Sequence, residues 1–354
     1  MEIRTDIKKI ISQYANASVS IEDPERENFL RFQRNVEYVF GLKVGTHEYN
    51  KLHGVLTLNH ICEQKSMMEK SFHVSDYAYS QSPCIYITLH LGCYEEIAAF
   101  LIRKEGKVCI PVTERVYLQE TRHYNENLAK RGMACSQLVF VNIESSTGLR
   151  QMIRYAHEGY SLLCYIDGNS GIGGMTRNDS KLEKIRFFNT TIHVRKGIEY
   201  VSRILNRDII PIYSYIEDIS FQPHIVLMPP FERILHHTIT DSLWYMFGRV
   251  IWQYYWQWEA WLYVDEFIDH STDMISKQSG YTLNADRYLP LIKSGVCYFY
   301  DRQTNRLVKV GRRLFGLLGT LEDSPVSTRV ELSEYIPHET LVEDLLSKKI
   351  IVKI

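Results

Sequence analysis

Between Cys84 and Glu217 the chain repeats one pattern, a short apolar run followed by a stretch of helical length. The runs are "CIYITL" (84–89), "KVCIPV" (107–112), "QLVFVN" (137–142), "SLLCYID" (161–167) and "DIIPIYSYIE" (208–217). Continuous apolar character, rather than strict alternation, is what strands covered on both faces require. Between them lie 92–104, "YLQETRHYNENLAKRG" ended by Gly132, "TGLRQMIRYAHEG" ended by Gly159, and "VRKGIEYVSRILN". Strands alternating with helices predict an α/β fold, a mixed and mostly parallel sheet flanked by helices.

The flanks read differently. Residues 1–80 are expected to be mostly helical. "DPERENFLRFQRNVEYVFGL" offers Asp23 as N-cap, Pro24 at the first helical position and an apolar stripe at 29, 30, 32, 36, 39 and 40. "EYNKLHGVLTLNHICEQKSMMEKSF" reads as a second helical block. All five tryptophans fall in 242–267, which is expected to be one long aromatic helix. Residues 271–280 read as a linker. Beyond it come a hairpin with its turn near Gln303–Asn305, a helix in "RRLFGLLGTL", and a helix running into a final strand in "ETLVEDLLSKKIIVKI". This divides the chain into 1–270 and a small α+β module at 281–354.

Bulk properties exclude several classes. The net charge is −1 and the pI about 6.9, so nothing points to nucleic acid. The seven cysteines form no C-x-x-C pair and sit mostly in apolar runs, which argues for a reducing cytosol and against a zinc site. The N-terminus has no apolar core of a signal peptide, and no stretch approaches 18 apolar residues. A cytoplasmic protein is expected, either soluble or peripheral at the inner face of a membrane.

One histidine stands out. Three His-x-x-x-x-acid pairs occur: His90/Glu95, His236/Asp241 and His338/Glu343. His338 follows Pro337 at a helix start, and no strong strand precedes His236. Only His90 sits where an apolar strand gives way to a helix through a glycine, "CIYITLHLGCYEE". The carboxyl ends of strands are where α/β sheets bind ligands. A carboxylate at Glu95, in the first helical turn, would reach back to the imidazole, fix its tautomer and raise the basicity of its other nitrogen.

"HLGCYEE" resembles the H-x4-[D/E] box of the lysophospholipid acyltransferase superfamily, and is most similar to its lipid A lauroyl/myristoyl acyltransferase branch, which uses H-x4-E. Further blocks follow in that branch's order. "CIPVTERVY" resembles the segment carrying an arginine, here Arg115. "LLCYIDGNSGIGG" resembles its D-x-x-x-G strand and loop, here Asp167 and Gly168. "IRFFNTTIHVRKGIEYVSRILNRDIIPIYSY" resembles the block that includes Phe187, Phe188, Lys196, Gly197 and Pro211, with "FFN" where the branch has "FFG". "QYYWQWEAW" resembles its Q-W-x-W close. The resemblance spans roughly residues 25–265.

It implies a glycerolipid acyltransferase-like fold and transfer of an acyl group from a thioester of coenzyme A or acyl carrier protein, with no cofactor and no metal. His90 would be the general base and Glu95 its orienting carboxylate. Backbone N–H groups near Gly92 or the Arg115 guanidinium would meet the developing oxyanion. Asp167 and Gly168 would line the site, and Arg195 with Lys196 would meet a phosphate of the donor. Each has a bland alternative: a packed strand-end histidine, a solvated arginine, an Asp-Gly turn, ordinary surface charge. "GNSGIGG" (168–174) follows no nucleotide-loop pattern and reads as a lid. The tryptophans read either as core or as an acyl tunnel or membrane-facing lip. "GVCYFYDRQTNRLVKVGRRLFGLLGTL" onward resembles the PqqD family of peptide-binding modules, implying a peptide acceptor docked by strand addition. A lipid acceptor, and a non-catalytic binding or scaffold protein of the same fold, are the alternatives. A hydrolase using the same dyad is disfavoured because no serine or cysteine nucleophile motif such as G-x-S-x-G occurs.

Overall fold

The computed structural model describes residues 2–15, 19–20, 23–64, 73–75, 83–119, 121, 126, 134–168, 182–218, 220–230, 239–269, 281–285, 287–323, 329–336 and 338–353. The chain forms two compact units, one of residues 1–17 and 47–268, the other of 18–46 and 269–354.

The larger unit begins with α1 (Glu2–Ala15) and contains nearly all of α3 (Thr46–Gln64). Its sheet has seven strands: β1 (His73–Ser75), β2 (Ile85–Thr88), β3 (Val108–Val112), β4 (Leu138–Asn142), β5 (Ser161–Tyr165), β8 (Ile209–Ile216) and β9 (Pro223–Leu227). Their order is β1-β9-β8-β2-β5-β3-β4. Strands β8, β2, β5, β3 and β4 run parallel, and β9 is antiparallel to β8. The sheet is thus mixed and mostly parallel, with helices against it, as the apolar runs predict. β2 lies at its centre and every residue of β2 is buried. Helices α4 (Glu95–Glu105), α5 (Gly148–His157) and α6 (Gly197–Leu205) fill the crossovers. Ile97, Leu101 and Ile102 of α4 pack with Tyr86, Val108, Ile110, Leu163, Ile210 and Ile212 of the sheet.

Three parts of this unit depart from the sequence expectation. A two-stranded hairpin, β6 (Leu182–Phe187) with β7 (Thr190–Arg195), is inserted before α6. β9 forms where no strand is predicted. The aromatic segment is not one helix: α7 (Ile239–Gln253) stops, and tight 3-10 turns carry 255–257, 259–262 and 264–266. The helix expected over 117–132 is helical through residue 119, and most of it lies outside the described residues, as do the lid at 169–174, the linker and His236.

The smaller unit contains β10 (Tyr281–Leu283) paired with β14 (Ile351–Lys353), and an antiparallel meander of β11 (Tyr288–Lys293), β12 (Val296–Asp301) and β13 (Arg306–Val310). Helices α8 (Arg312–Asp323), α9 (Arg329–Tyr335) and α10 (Glu339–Ser347) complete it. The β12–β13 turn contains Gln303–Asn305, with Asn305 left-handed at φ 57°. Phe299, Leu318, Leu332, Val342 and Ile351 are in its core. The sequence boundary assigns residues 1–80 to the larger part, whereas 18–46 cluster here. The reason is α2 (Arg26–Phe40), whose polar face is bound to this meander. Glu27 pairs with Lys293 and Glu37 with Arg302, both at 2.7 Å, and Arg34 donates to the Arg302 carbonyl. Asp23 accepts from the Glu25 N–H at 2.8 Å just before the helix, and Gly41 ends it in the left-handed region.

Candidate active site

Register brings the site together. Thr88 of β2 pairs with Tyr165 of β5 at the carboxyl ends of both strands. His90 and Asp167 each lie two residues further on, so they emerge side by side although 77 residues apart. The Asp167 Oδ1 accepts from His90 Nδ1 at 2.9 Å, and Oδ2 accepts the His90 backbone N–H at 2.9 Å. A third donor, the indole N–H of Trp258, reaches Oδ2 at 2.7 Å. Asp167 is fully buried, so these three N–H groups replace the water a carboxylate needs.

The carboxylate bonded to His90 is therefore that of Asp167, not that of Glu95. Glu95 opens α4 beside the site, and its charge is felt by the Tyr165 phenol, whose pKa burial and the nearby carboxylates raise.

The imidazole stacks on Tyr165, with ring centres 4.5 Å apart, and meets the Tyr94 ring edge-on at 4.9 Å. The Tyr263 hydroxyl lies 3.4 Å from Nδ1. Both side-chain hydrogen bonds to the ring thus fall on Nδ1, and no described residue bonds Nε2. The side chain keeps 23% of its exposure, so it is not sealed in the core. Burial works against a charged imidazole, but the Asp167 carboxylate, its hydrogen bond and the Glu259 charge outweigh it and raise the His90 pKa. A neutral ring with its proton on Nδ1, facing Asp167, presents a lone pair on Nε2. That is the state a general base needs.

The short segment 257–259 is what holds this loop, and sequence reasoning assigned no site role to its individual residues. Gln257 clamps the end of β8, accepting the Ile216 N–H at 2.8 Å and donating to the Ile216 carbonyl at 2.7 Å. Its own carbonyl accepts the Gly92 N–H at 3.2 Å. Leu91 and Trp258 form an antiparallel bridge, and the Glu259 N–H donates to the His90 carbonyl at 2.9 Å. Trp258 and Trp261 are fully buried against each other, and Phe187 at the end of β6 packs on Trp258. Four of the five tryptophans are core residues, whereas Trp252 is exposed and stacks on Phe188. The cluster of residue types was visible in sequence, but the fold-back that aims one indole N–H at Asp167 was not.

Gly92 has a structural task. Its φ is +59°, and a Cβ there would lie 2.8 Å from the Ser214 carbonyl oxygen and from the Tyr215 Cα. Its N–H is engaged by Gln257, and the N–H groups of His90 and Leu91 are engaged by Asp167 and the Leu89 carbonyl. The Gly92 N–H, one of the oxyanion donors expected near Gly92, is thus already engaged by Gln257. Arg115 lies at the same carboxyl edge, three residues past β3, exposed and two strands removed from β2. Gly168 follows Asp167 directly. Arg195 ends β7 and Lys196 precedes α6, exposed, with its Nζ 4.0 Å from Glu183. The structure brings His90, Gly92, Glu95, Asp167 and Gly168 together, and adds Trp258, Glu259 and Tyr263.

Cys84, Cys93, Cys109, Cys164 and Cys297 are buried free thiols. Among the described residues no cluster of His, Cys, Asp and Glu is suited to a metal ion, and no helix is long and apolar enough to cross a membrane. No protein-family model matches the chain, and no curated protein matches it.

Proposed function

We propose that the chain is an acyltransferase of the lysophospholipid acyltransferase type, moving a fatty acyl group from a coenzyme A or acyl-carrier-protein thioester to a hydroxyl or amine. The observation that carries this reading is the His90–Asp167 pair: a buried carboxylate on Nδ1, and an Nε2 that no described residue bonds, at the carboxyl edge of a mostly parallel sheet. The ordered sequence resemblance supplies the reaction class. His90 Nε2 takes the proton of the acceptor as its oxygen or nitrogen attacks the thioester carbonyl. The new C–O or C–N bond forms, the C–S bond breaks, and the imidazolium returns the proton to the departing thiolate. Asp167 stabilises the imidazolium while the proton is held. General-base assistance of this kind is worth about 10²–10⁴-fold.

By its separate resemblance to the PqqD family, the smaller unit is proposed to be a winged-helix-like docking module for a peptide; the cysteine usage and the lack of long apolar stretches support work in the cytoplasm, with peripheral contact at a membrane. The test is thiol release from acyl-coenzyme A and acyl-carrier-protein donors of several chain lengths, with cell extract as acceptor source. Release that needs His90 supports the reading. No release from any donor moves the weight to a non-catalytic binding protein.

A further inference from the structure

We propose that Glu259 selects an acceptor carrying an ammonium group next to the nucleophile that is acylated; this rests on the acyl-transfer reading for its chemistry, though not for its binding test. Glu259 is anchored beside the imidazole, since its backbone N–H donates to the His90 carbonyl at 2.9 Å. Its Oε2 accepts the Tyr94 hydroxyl at 2.6 Å, and the Tyr94 ring is in turn edge-on to His90. That bond occupies one oxygen. No described residue bonds Oε1, and no described Lys or Arg pairs with the carboxylate.

The compensation of charge differs between Asp167 and Glu259, two of the three carboxylates near His90 and Tyr165. Asp167 is fully buried and takes three N–H donors, including the imidazole that becomes cationic during the reaction. Glu259 is only partly buried and takes one neutral hydroxyl. A carboxylate beside a catalytic base, with no cation from the described residues, is suited to receive one from the substrate. The walls agree in character. Tyr165 stacks on the imidazole, Tyr94 meets it edge-on and the Tyr263 hydroxyl lies beside it, and aromatic rings accommodate ammonium groups where carboxylates or phosphates gain nothing from them. An amino alcohol or a diamine fits this chemistry. Its ammonium sits on Glu259, its second group gives a proton to His90 Nε2 and forms the new bond to the acyl carbon, and the C–S bond breaks as before. A phosphorylated or carboxylated acceptor would place like charges together.

Two measurements on the full chain test it. The first is binding without turnover: the His90 imidazole is titrated by NMR with ethylammonium chloride, against sodium chloride at equal ionic strength. Ethylammonium should displace the imidazole titration to lower pH in the wild type, and E259Q, which keeps an oxygen for Tyr94, should weaken that displacement at least fivefold. No displacement beyond that of sodium overturns the proposal, whether or not the chain turns over thioesters. The second is the ratio of kcat/KM for ethanolamine and 1,3-diaminopropane to that for ethylene glycol and glycolate, with one acyl thioester donor. The ratio should be about tenfold or more in the wild type and collapse toward one in E259Q. Turnover that ignores acceptor charge, or a ratio unchanged in E259Q, overturns it. Cation binding without any thioester turnover would retain Glu259 as a cation site and remove the acyl-transfer reading instead.

Discussion

Replacing Asp167 by Asn should silence the base by turning its tautomer over. The carboxylate has two sets of partners. Oδ2 accepts two N–H groups, from the His90 backbone and Trp258, while Oδ1 accepts one, from His90 Nδ1. An amide has one oxygen and one NH₂. If the NH₂ took the Oδ2 position it would face two N–H donors in a fully buried place, and each donor left unmet costs about 1–3 kcal/mol. The favoured orientation therefore keeps the oxygen at Oδ2 and points the NH₂ at Nδ1. Nδ1 must then accept, the imidazole proton moves to Nε2, and the lone pair facing the substrate is gone. Thiol release should fall by about 10²–10⁴-fold, with little change in KM. The wild-type rate should fall as pH drops through a His90 pKa above the ordinary imidazole value, because Asp167 and Glu259 hold it there against burial. In the variant that limb should move to lower pH. Nitrogen NMR reads the tautomer directly. A variant that keeps the wild-type rate and an unprotonated Nε2 would refute the role given to Asp167.

Trp258→Phe removes one charge-assisted donor while keeping an aromatic body. A loss of about 1.5–3 kcal/mol of stability is expected, with kcat down about tenfold at unchanged KM. Both are readable by denaturation and steady-state kinetics. Gly92→Ala meets backbone atoms that no rotamer change can move, and requires a left-handed alanine. It should cost at least about 1–2 kcal/mol and lower Tm by several degrees in calorimetry. In the smaller unit Asp301 is buried and receives both Arg287 nitrogens at 2.8 Å. Burial opposes its charge, yet hydrogen bonds from Arg287, Thr304 and the Gln303 N–H hold its pKa below the usual carboxylate range. Stability from this pair is therefore present above the ordinary carboxylate pKa and lost as pH falls through the lowered one. Asp301→Asn should remove about 2–4 kcal/mol and that acid limb, as read by chemical denaturation at several pH values.

Much of the fold was legible because its strands are buried on both faces. "CIYITL" and "SLLCYID" are too short and too apolar for surface helices, and their ends placed His90 and Asp167 at the carboxyl edge of the sheet. What the chain could not disclose locally is pairing. Glu95 is five residues from His90 and Asp167 is 77, so proximity in sequence favoured the first. Only the β2–β5 register, with Thr88 opposite Tyr165, makes Asp167 the neighbour. The segment after Gln253 misled for a related reason. Its aromatic content reads as a buried helix, but Trp258 and Gln257 find partners on other elements that a continued helix would not let them reach. The β6–β7 hairpin did carry a signal. Ile185 and Phe187, then Ile192 and Val194, alternate around a turn at Phe188–Asn189, and all four are buried. The place of α2 in the smaller unit rests on ion pairs across more than 260 residues, which no periodicity encodes.

The central claim is that His90 Nε2 is the base of an acyl transfer. Its most direct test is a single-turnover reaction with isotopically labelled acyl thioester and an excess of acceptor, comparing wild type with His90→Gln and identifying the acylated product by mass spectrometry. The account predicts a labelled ester or amide from the wild type, formed at least about a hundredfold faster than by the variant. Equal product formation by both proteins, or free acid as the sole labelled product from both, would contradict it.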